Sequence, residues 1–126
     1  MIVAFDFDNT LTREDARGRF VGWRLRGLNR LRRHALTGDL VLIVTARQDI
    51  EEDRRLSAEG RRWLAGYPLV HASVDRFRLP VEGIVFTDRK LKGPTLAELE
   101  VALLYDDLPE QRASAIEHGI TAVDLS

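Results

Sequence analysis

The sequence contains no cysteine, one methionine and four prolines, and none of its apolar runs is long enough to span a membrane. Without cysteine, disulfide bonds and thiolate-bound metals are excluded, so we expect a protein of the reducing cytoplasm. The short apolar runs predict no membrane association, and a first strand beginning at Ile2 leaves no room for a signal peptide. The composition, 44% hydrophobic and 31% charged, predicts one globular domain, residues 1–126, of unspecified oligomeric state.

Charge is unevenly distributed along the chain, although the net charge is only −1. Eight arginines and two acids lie between Arg13 and His34, so this segment carries +6 and the remainder −7. Such a segment is typical either of a surface that meets an anionic partner or of a solvated helix face. The sequence leaves both interpretations open.

Apolar runs alternate with stretches of helical composition, which predicts a parallel sheet covered by helices. The predicted fold class is α/β, a three-layer Rossmann-like fold with a mainly parallel sheet of about five strands and no cap domain. The predicted strands are 2–7, 40–44, 84–86, 101–105 and 120–123. The predicted helices are 21–36, 48–66, 95–100 and 109–119.

Finer predictions concern the segments between these elements. Residues 13–20 are polar and predict a loop or short flap, and 67–79 predicts a short strand at 69–70 followed by a helical turn at 73–77. In the first helix, one stripe should face the core and consists of Val21, Leu25, Leu28, the stem of Arg32, and Leu36. Gly38 is expected to end that helix.

Two aspartates follow the first strand at a spacing of two residues. Asp6 interrupts the apolar run and Asp8 follows it, at the end of a parallel strand where α/β sheets keep their ligands. Buried carboxylates are costly unless a metal or hydrogen bonds compensate them. Asp8 and Asn9 alone are also compatible with a simple turn. Asp6, inside the apolar run, favours a functional site.

Three further polar residues, Thr45, Asp106 and Asp107, also follow predicted strands. Because the carboxyl ends of parallel strands meet at one edge of the sheet, we expect them to lie near Asp6. Taken singly, a threonine there can be a cap and an Asp-Asp pair can form a turn. Several carboxylates without histidine or cysteine favour Mg²⁺, and an ionised aspartate is a nucleophile that needs no base.

The letters DFDNT that begin at Asp6 resemble the first motif, DxDxT, of the haloacid dehalogenase-like superfamily. This resemblance implies that Asp6 attacks phosphorus and forms an aspartyl-phosphate. It implies that Asp8 protonates the leaving oxygen and then activates water. An acid at Asp8 favours phosphoryl transfer, because the dehalogenases of the superfamily lack it. The implied enzyme is a phosphoric monoester hydrolase.

The resemblance also implies the remaining ligands of the site. Mg²⁺ would be held by Asp6, the Asp8 carbonyl and Asp106, supported by Asp107. Thr45 would bind a phosphoryl oxygen. The motif lysine is either Lys90 or Lys92, of which Lys92 lies beside Gly93-Pro94 at the start of the next helix. There is no room for a folded cap, which predicts an open site suited to large substrates.

Within the superfamily, the pattern is similar to the phosphatase domain of phage-type polynucleotide kinase-phosphatases. Arg17 stands where that family has a flap arginine, and Arg47 follows Thr45 at the family's spacing. Asn9 stands where the family has glycine, and Thr-Ala-Arg stands where Ser-Gly-Arg is common. This resemblance implies substrate-binding roles for Arg17, Arg47 and Asn9.

The substrate predicted from this resemblance is a phosphate at a nucleic-acid end, 3′ in preference to 5′. The arginines near the mouth and a stacking aromatic, Phe20 or Trp23, favour it, whereas a solvated helix and a core Trp23 are the alternatives. A nucleotide or other small-molecule phosphatase and a phosphoprotein phosphatase remain open. So does a non-catalytic binding domain of the same fold.

Overall fold

The computed structural model describes residues 1–48 and 67–125, and the helix predicted over 48–66 lies almost wholly outside them. The first half contains β1 (Ile2–Phe5), β2 (Thr12–Glu14), β3 (Phe20–Trp23), α1 (Leu25–Leu36) and β4 (Leu40–Thr45). The second half contains α2 (Val70–Phe77), β5 (Gly83–Phe86), α3 (Gly93–Glu98), β6 (Leu103–Tyr105), α4 (Pro109–Glu117) and β7 (Thr121–Val123).

Five strands form one parallel sheet in the order β5-β4-β1-β6-β7. The strand β1 is central, with Val3 opposite Val41 of β4 on one side and Leu103 of β6 on the other. The predicted α/β class and five-stranded parallel sheet are therefore confirmed. Because β1, β4 and β6 are neighbours, the residues that follow them lie together at one edge.

The sheet has helices on both faces, because successive side chains of a strand point to opposite sides. Val3 and Phe5 belong to a buried cluster with Leu31 of α1, which also includes residues of α2. Ala4 belongs to a second cluster with Leu96 of α3, which also includes residues of α4. This arrangement is the predicted three-layer fold, with α1 and α2 on one face and α3 and α4 on the other.

Of the two alternatives predicted for 13–20, the short flap agrees with the structure and the loop does not, and the predicted helix start at Val21 is wrong. Strands β2 and β3 pair antiparallel as a hairpin, and α1 begins only at Leu25. The turn is held by Asp15, whose Oδ1 accepts the backbone N–H groups of Arg17 and Arg19, each at 2.9 Å. A local side-chain bond of this kind gives little signal in hydrophobic periodicity.

The predicted buried stripe of α1 is right at Leu28 and wrong at Leu25 and Leu36. Leu25 and Leu36 are 69% and 88% exposed, whereas Gly27, Leu28 and Leu31 are buried. A Cβ on Gly27 would lie 2.3 Å from the Thr10 carbonyl oxygen, so only glycine allows α1 to approach the chain so closely there. This close approach sets the buried face.

The remaining segments agree with prediction in part. Gly38 follows the end of α1 with a positive φ of 88°, as expected of a helix stop. The short strand predicted at 69–70 is wrong, because Val70 begins α2 and Ser73 Oγ donates to the Leu69 carbonyl at 2.6 Å. The predicted turn at 73–77 lies within α2.

Beyond the strands and helices of the sandwich, residues 1–48 and 67–125 contain only the small β2–β3 hairpin, with no separate cap domain. In the same residues, no helix has the length and apolar character needed to cross a membrane.

Candidate active site

Asp6 and Asp106 directly follow the neighbouring strands β1 and β6. The Asp6 N–H donates to the Tyr105 carbonyl at 2.8 Å, and the Asp106 N–H donates to the Val123 carbonyl at 3.0 Å. The sheet ladder therefore continues through both residues. It carries their carboxylates into a buried position, with Asp6 5% and Asp106 0% exposed.

Lys92 joins these two carboxylates. Its Nζ lies 2.8 Å from Asp6 Oδ1 and 2.5 Å from Asp106 Oδ2, and the residue is 1% exposed. Lys90 is exposed in the loop before α3, so Lys92 is the lysine that the structure brings to the carboxylates. An ammonium between two buried carboxylates offsets part of the cost of burying them.

The pKa values of the three groups reflect this arrangement. Burial raises the pKa of Asp6 well above its ordinary value, and the positive charge of Lys92 only partly opposes the increase. Burial likewise raises the pKa of Asp106. For Lys92, burial acts to lower the pKa, but the charges of Asp6 and Asp106 outweigh it and the pKa is raised. Lys92 is therefore a cation at neutral pH.

Helix α4 fixes the backbone around Lys92. Gln111 Oε1 accepts the Lys92 N–H at 2.8 Å, and Ser114 Oγ accepts the Gly93 N–H at 3.0 Å. A Cβ on Gly93 would lie 2.5 Å from the Ser114 carbonyl oxygen, which explains the glycine beside the lysine. Neither Gln111 nor Ser114 could be identified from the sequence, because neither lies in a recognisable motif.

A possible divalent-ion site lies beside Lys92. One carboxylate oxygen from each of Asp6, Asp106 and Asp107 lies within 4.8 Å of the others. Three hard oxygen donors at this separation fit Mg²⁺, which is bound through carboxylates and keeps several waters. The Asp8 carboxylate is not a member of this group, and an Asp8 carbonyl ligand stays a prediction.

Arg47 binds the Asp8 carboxylate with two parallel hydrogen bonds. Its Nε lies 2.9 Å from Asp8 Oδ2 and its Nη2 2.7 Å from Oδ1. The Arg47 guanidinium also donates to the Pro68 carbonyl at 3.0 Å and lies over the rings of Phe7 and Tyr67, at 5.0 and 5.4 Å. Bidentate pairing fixes the orientation of a carboxylate.

Asn9 links the cleft to the start of α1. Its Nδ2 donates to Asp107 Oδ2 at 3.2 Å, and its Oδ1 accepts from Arg24 Nη2 at 3.1 Å. The backbone of Asn9 has a φ of 58°, a left-handed conformation that asparagine tolerates better than most residues. Sequence analysis missed Arg24, since one arginine among eight carries no distinguishing signal.

Two predicted site residues, Thr45 and Arg17, are not among those that line the cleft. Thr45, the last residue of β4, is fully buried, and its Oγ1 accepts the backbone N–H of Arg47 at 3.3 Å. Arg17 is exposed in the turn of the β2–β3 hairpin and does not line the cleft. Roles for both in substrate binding stay predictions.

The cleft has two walls, the carboxyl edge of the sheet, which carries Asp6, and the β2–β3 hairpin. Glu14, at the end of β2, lines the cleft together with Asp8, Asn9 and Lys92, and Tyr67 donates a short hydrogen bond to Glu14 Oε1. Burial raises the pKa of Glu14, and the hydrogen bond from Tyr67 opposes the increase. Sequence analysis missed both residues.

No family model matches the sequence, and no curated protein is similar to it in sequence. Among solved structures, a chain of the "Pnkp1/Rnl/Hen1 RNA repair complex" matches with a TM-score of 0.68 and 13% identity, over 98% of this chain and 42% of that one. D,D-heptose 1.7-bisphosphate phosphatase from B. bronchiseptica, solved with magnesium and phosphate, matches with a TM-score of 0.60 and 11% identity, over 96% and 78%.

These likenesses identify the fold. The chain shares the fold of both solved chains, one of which is a phosphatase, and the fold expected from the motif resemblance is confirmed. It spans less than half of the chain it matches in the RNA repair complex.

Proposed function

We propose that this chain is a magnesium-dependent phosphomonoester hydrolase in which Asp6 is the nucleophile. The observation that carries the proposal is the meeting of Asp6, Lys92 and Asp106 at the carboxyl edge of the sheet, with Asp107 completing a carboxylate group of the right separation for Mg²⁺. A nucleophilic carboxylate needs no base, but it must overcome repulsion from an anionic phosphoryl group.

In the first half-reaction, an Asp6 oxygen forms a bond to phosphorus as the bond from phosphorus to the ester oxygen breaks. Asp8 gives a proton to that leaving oxygen, so the alcohol departs neutral and Asp6 holds the phosphoryl group. Lys92 offsets charge on the phosphoryl oxygens. When bound at the carboxylates, Mg²⁺ supplies further positive charge that reduces the repulsion.

In the second half-reaction, water attacks the phosphorus of the aspartyl-phosphate and the bond to Asp6 breaks, which releases phosphate. Asp8 accepts the proton of the attacking water and is ready for another cycle. The bidentate bond from Arg47 supports this role, because it holds the Asp8 carboxylate in one orientation.

Hydrolysis of phenyl phosphate in millimolar Mg²⁺ tests the proposal. Asp6→Asn should lower kcat at least about a thousandfold, because the amide is a poor nucleophile. Asp75→Asn, at an exposed position on α2, is the matched control and should retain wild-type activity. Full activity of Asp6→Asn would show that Asp6 is not the nucleophile. Inactive wild-type protein across a panel of monoesters would instead favour a binding domain of the same fold.

For the substrate, we propose a phosphate at a nucleic-acid end, the 3′ end in preference to the 5′. Only a small hairpin stands beside the cleft in the described residues, and Arg26 lies two residues beyond Arg24, whose guanidinium bonds Asn9 in the cleft. One structural neighbour belongs to an RNA repair complex, and the other acts on a heptose bisphosphate, which keeps a small-molecule substrate as the alternative.

Trp23 does not contribute to this proposal. Its ring packs edge-on against Phe77 at 4.7 Å, Phe20 at 5.4 Å and Phe7 at 6.1 Å, so the core position is the one observed. Phe20 remains the aromatic candidate for base stacking. The cytoplasmic location also stays a prediction.

The test compares kcat/KM for a 3′-phosphorylated oligonucleotide with that for the matching 3′-mononucleotide. Arg26→Ala should reduce the oligonucleotide value several-fold and flatten its salt dependence by roughly 0.7 in log–log slope. Arg33→Ala is the control, because Arg33 is exposed on the same helix about 10 Å further from the cleft. Equal efficiency on both substrates, unchanged in Arg26→Ala, would favour a small-molecule phosphatase.

A further inference from the structure

Glu14 is the acid in the cleft to which the proposed chemistry assigns no role. It lies outside the group of three carboxylates suited to Mg²⁺, and Arg47 holds Asp8 instead. A half-buried carboxylate that faces a cleft for an anionic substrate raises the cost of binding that substrate. Such a residue needs a compensating interaction with some other part of the substrate.

Glu14 is held firmly by Tyr67. The Tyr67 hydroxyl donates to Glu14 Oε1, and it also lies 3.2 Å from the Gly18 carbonyl in the turn of the same hairpin. The Tyr67 ring packs near the ring of Phe20, at 6.0 Å, and near the Arg47 guanidinium, at 5.4 Å. The carboxylate is therefore fixed in the wall of the cleft and does not move freely in solvent.

Tyr67 uses only part of the acceptor capacity of Glu14. An ionised carboxylate has about four lone-pair sites on two oxygens, and a phenol supplies one proton. Within residues 1–48 and 67–125, Glu14 has no second hydrogen-bond donor. As far as the described residues are concerned, at least one Glu14 oxygen can accept a hydrogen bond from a molecule in the cleft.

Glu14 lies on the side of the cleft from which the leaving group departs. Asp8 is the proposed proton donor to the leaving oxygen, so the leaving group must lie against Asp8. Arg47, which binds Asp8, packs against the same Tyr67 ring whose hydroxyl binds Glu14. One connected set of side chains therefore places the proton donor and Glu14 on the same wall.

We propose that Glu14 selects the substrate by accepting a hydrogen bond from a hydroxyl on the leaving group, on the carbon next to the phosphate ester. This inference rests on the proposed function and narrows its substrate class to monophosphates of vicinal diols, such as a ribose 3′-phosphate with a free 2′-hydroxyl. Glu14 also disfavours a second phosphate at that position, because two anions would face each other. Deoxyribose ends lack the donor, so Glu14 gains no hydrogen bond from them beyond the one from Tyr67.

The experiment compares kcat/KM for adenosine 3′-monophosphate and 2′-deoxyadenosine 3′-monophosphate. For the wild-type protein, kcat/KM should be about tenfold or more higher for the ribonucleotide. This factor is what one hydrogen bond to a charged group typically contributes. Glu14→Ala should bring the ratio of the two kcat/KM values close to one. Tyr67→Phe should lower this ratio only partly. Glu82→Gln, an exposed residue just before β5 at the other edge of the sheet, is the control and should keep the wild-type ratio.

A binding measurement separates this inference from the proposed function. The two nucleotides are titrated calorimetrically, with Mg²⁺ present, into Asp6→Asn and into the double variant Asp6→Asn/Glu14→Ala. Tighter binding of the ribonucleotide that is lost with Glu14 supports the inference even if no turnover is seen. Equal affinity in Asp6→Asn overturns it, whereas phenyl phosphate hydrolysis by the wild-type protein reports on the phosphatase alone.

Discussion

On the sheet wall of the cleft, Asp6 and Asp106 continue two neighbouring strands, and Lys92 lies buried between them. At the hairpin wall, Glu14 of β2 and its neighbour in the cleft, Asp8 from the loop between β1 and β2, are half-buried. Each is held by a side chain from a different part of the chain, Asp8 by Arg47 and Glu14 by Tyr67. Backbone ladders position the first wall, whereas side-chain hydrogen bonds position the second.

This difference matches the chemistry proposed for each wall. A nucleophile and metal ligands must be held at fixed separations, which the strands of a close-packed sheet provide. Residues that meet a leaving group must suit its shape and its hydrogen-bond donors, and a hairpin can vary in both without changing the sheet. The hairpin wall is therefore where we expect substrate preference to be determined.

The largest effect should come from removing the cation of the sheet wall. Lys92→Met leaves Asp6 and Asp106 buried without their partner, which should cost about 3–5 kcal/mol in the free energy of unfolding. It should also lower kcat at least about a hundredfold. Urea denaturation and phenyl phosphate hydrolysis measure the two effects.

Lys90→Met is the matched control, because Lys90 is exposed two residues away. Its free energy of unfolding should stay within about 0.5 kcal/mol of wild type. If both variants were equally stable, the sheet wall would not depend on neutralisation by Lys92.

A smaller effect is expected on the hairpin wall from Arg47→Lys. Lysine keeps the charge but cannot form two parallel bonds to Asp8, so Asp8 loses its fixed orientation. We expect kcat for phenyl phosphate to fall about ten- to a hundredfold, with a much smaller change in KM. Arg33→Lys on the exposed face of α1 is the control. A loss confined to KM would instead indicate that Arg47 binds the phosphate directly, as its motif position first suggested.

A third prediction concerns the link between the two walls. Arg24→Gln removes the donor that orients Asn9, which in turn donates to Asp107 in the carboxylate group. Partners of metal ligands affect metal affinity, so we expect Mg²⁺ to bind about tenfold more weakly. Calorimetric titration of Mg²⁺ measures this directly, with Arg33→Gln as control. Unchanged affinity would mean that Asp107 is positioned without Asn9.

The same contrast explains how far the sequence alone predicts this molecule. Asp6 and Asp106 could be placed together because apolar strand runs and parallel pairing determine where strand ends meet. The pairing of Arg47 with Asp8 and of Tyr67 with Glu14 could not, because these bonds depend on how the hairpin packs. The two strands of the hairpin were not predicted, because its turn is formed by Asp15 and not by an apolar pattern.

The smallest predicted effect is a pH dependence that originates from Glu14. Burial raises the pKa of Glu14 in the folded protein, so the folded state retains a proton that the unfolded state releases. A folded state that binds more protons loses stability as the pH rises, here from about 4.5, the ordinary value, upward through the folded pKa.

Glu14→Gln removes this titration but can still accept the hydrogen bond from Tyr67. Its free energy of unfolding should therefore increase relative to wild type as the pH is raised from 4 to 7, measured by urea denaturation without Mg²⁺. In a protein that keeps Glu14, Tyr67→Phe should make the free energy of unfolding fall more steeply as the pH rises, because the Tyr67 hydrogen bond lowers the pKa of Glu14. If the free energy of unfolding changed with pH in the same way for wild type and Glu14→Gln, burial would not raise the pKa of Glu14. The contrast between the two walls would then rest on Asp8 and Arg47 alone.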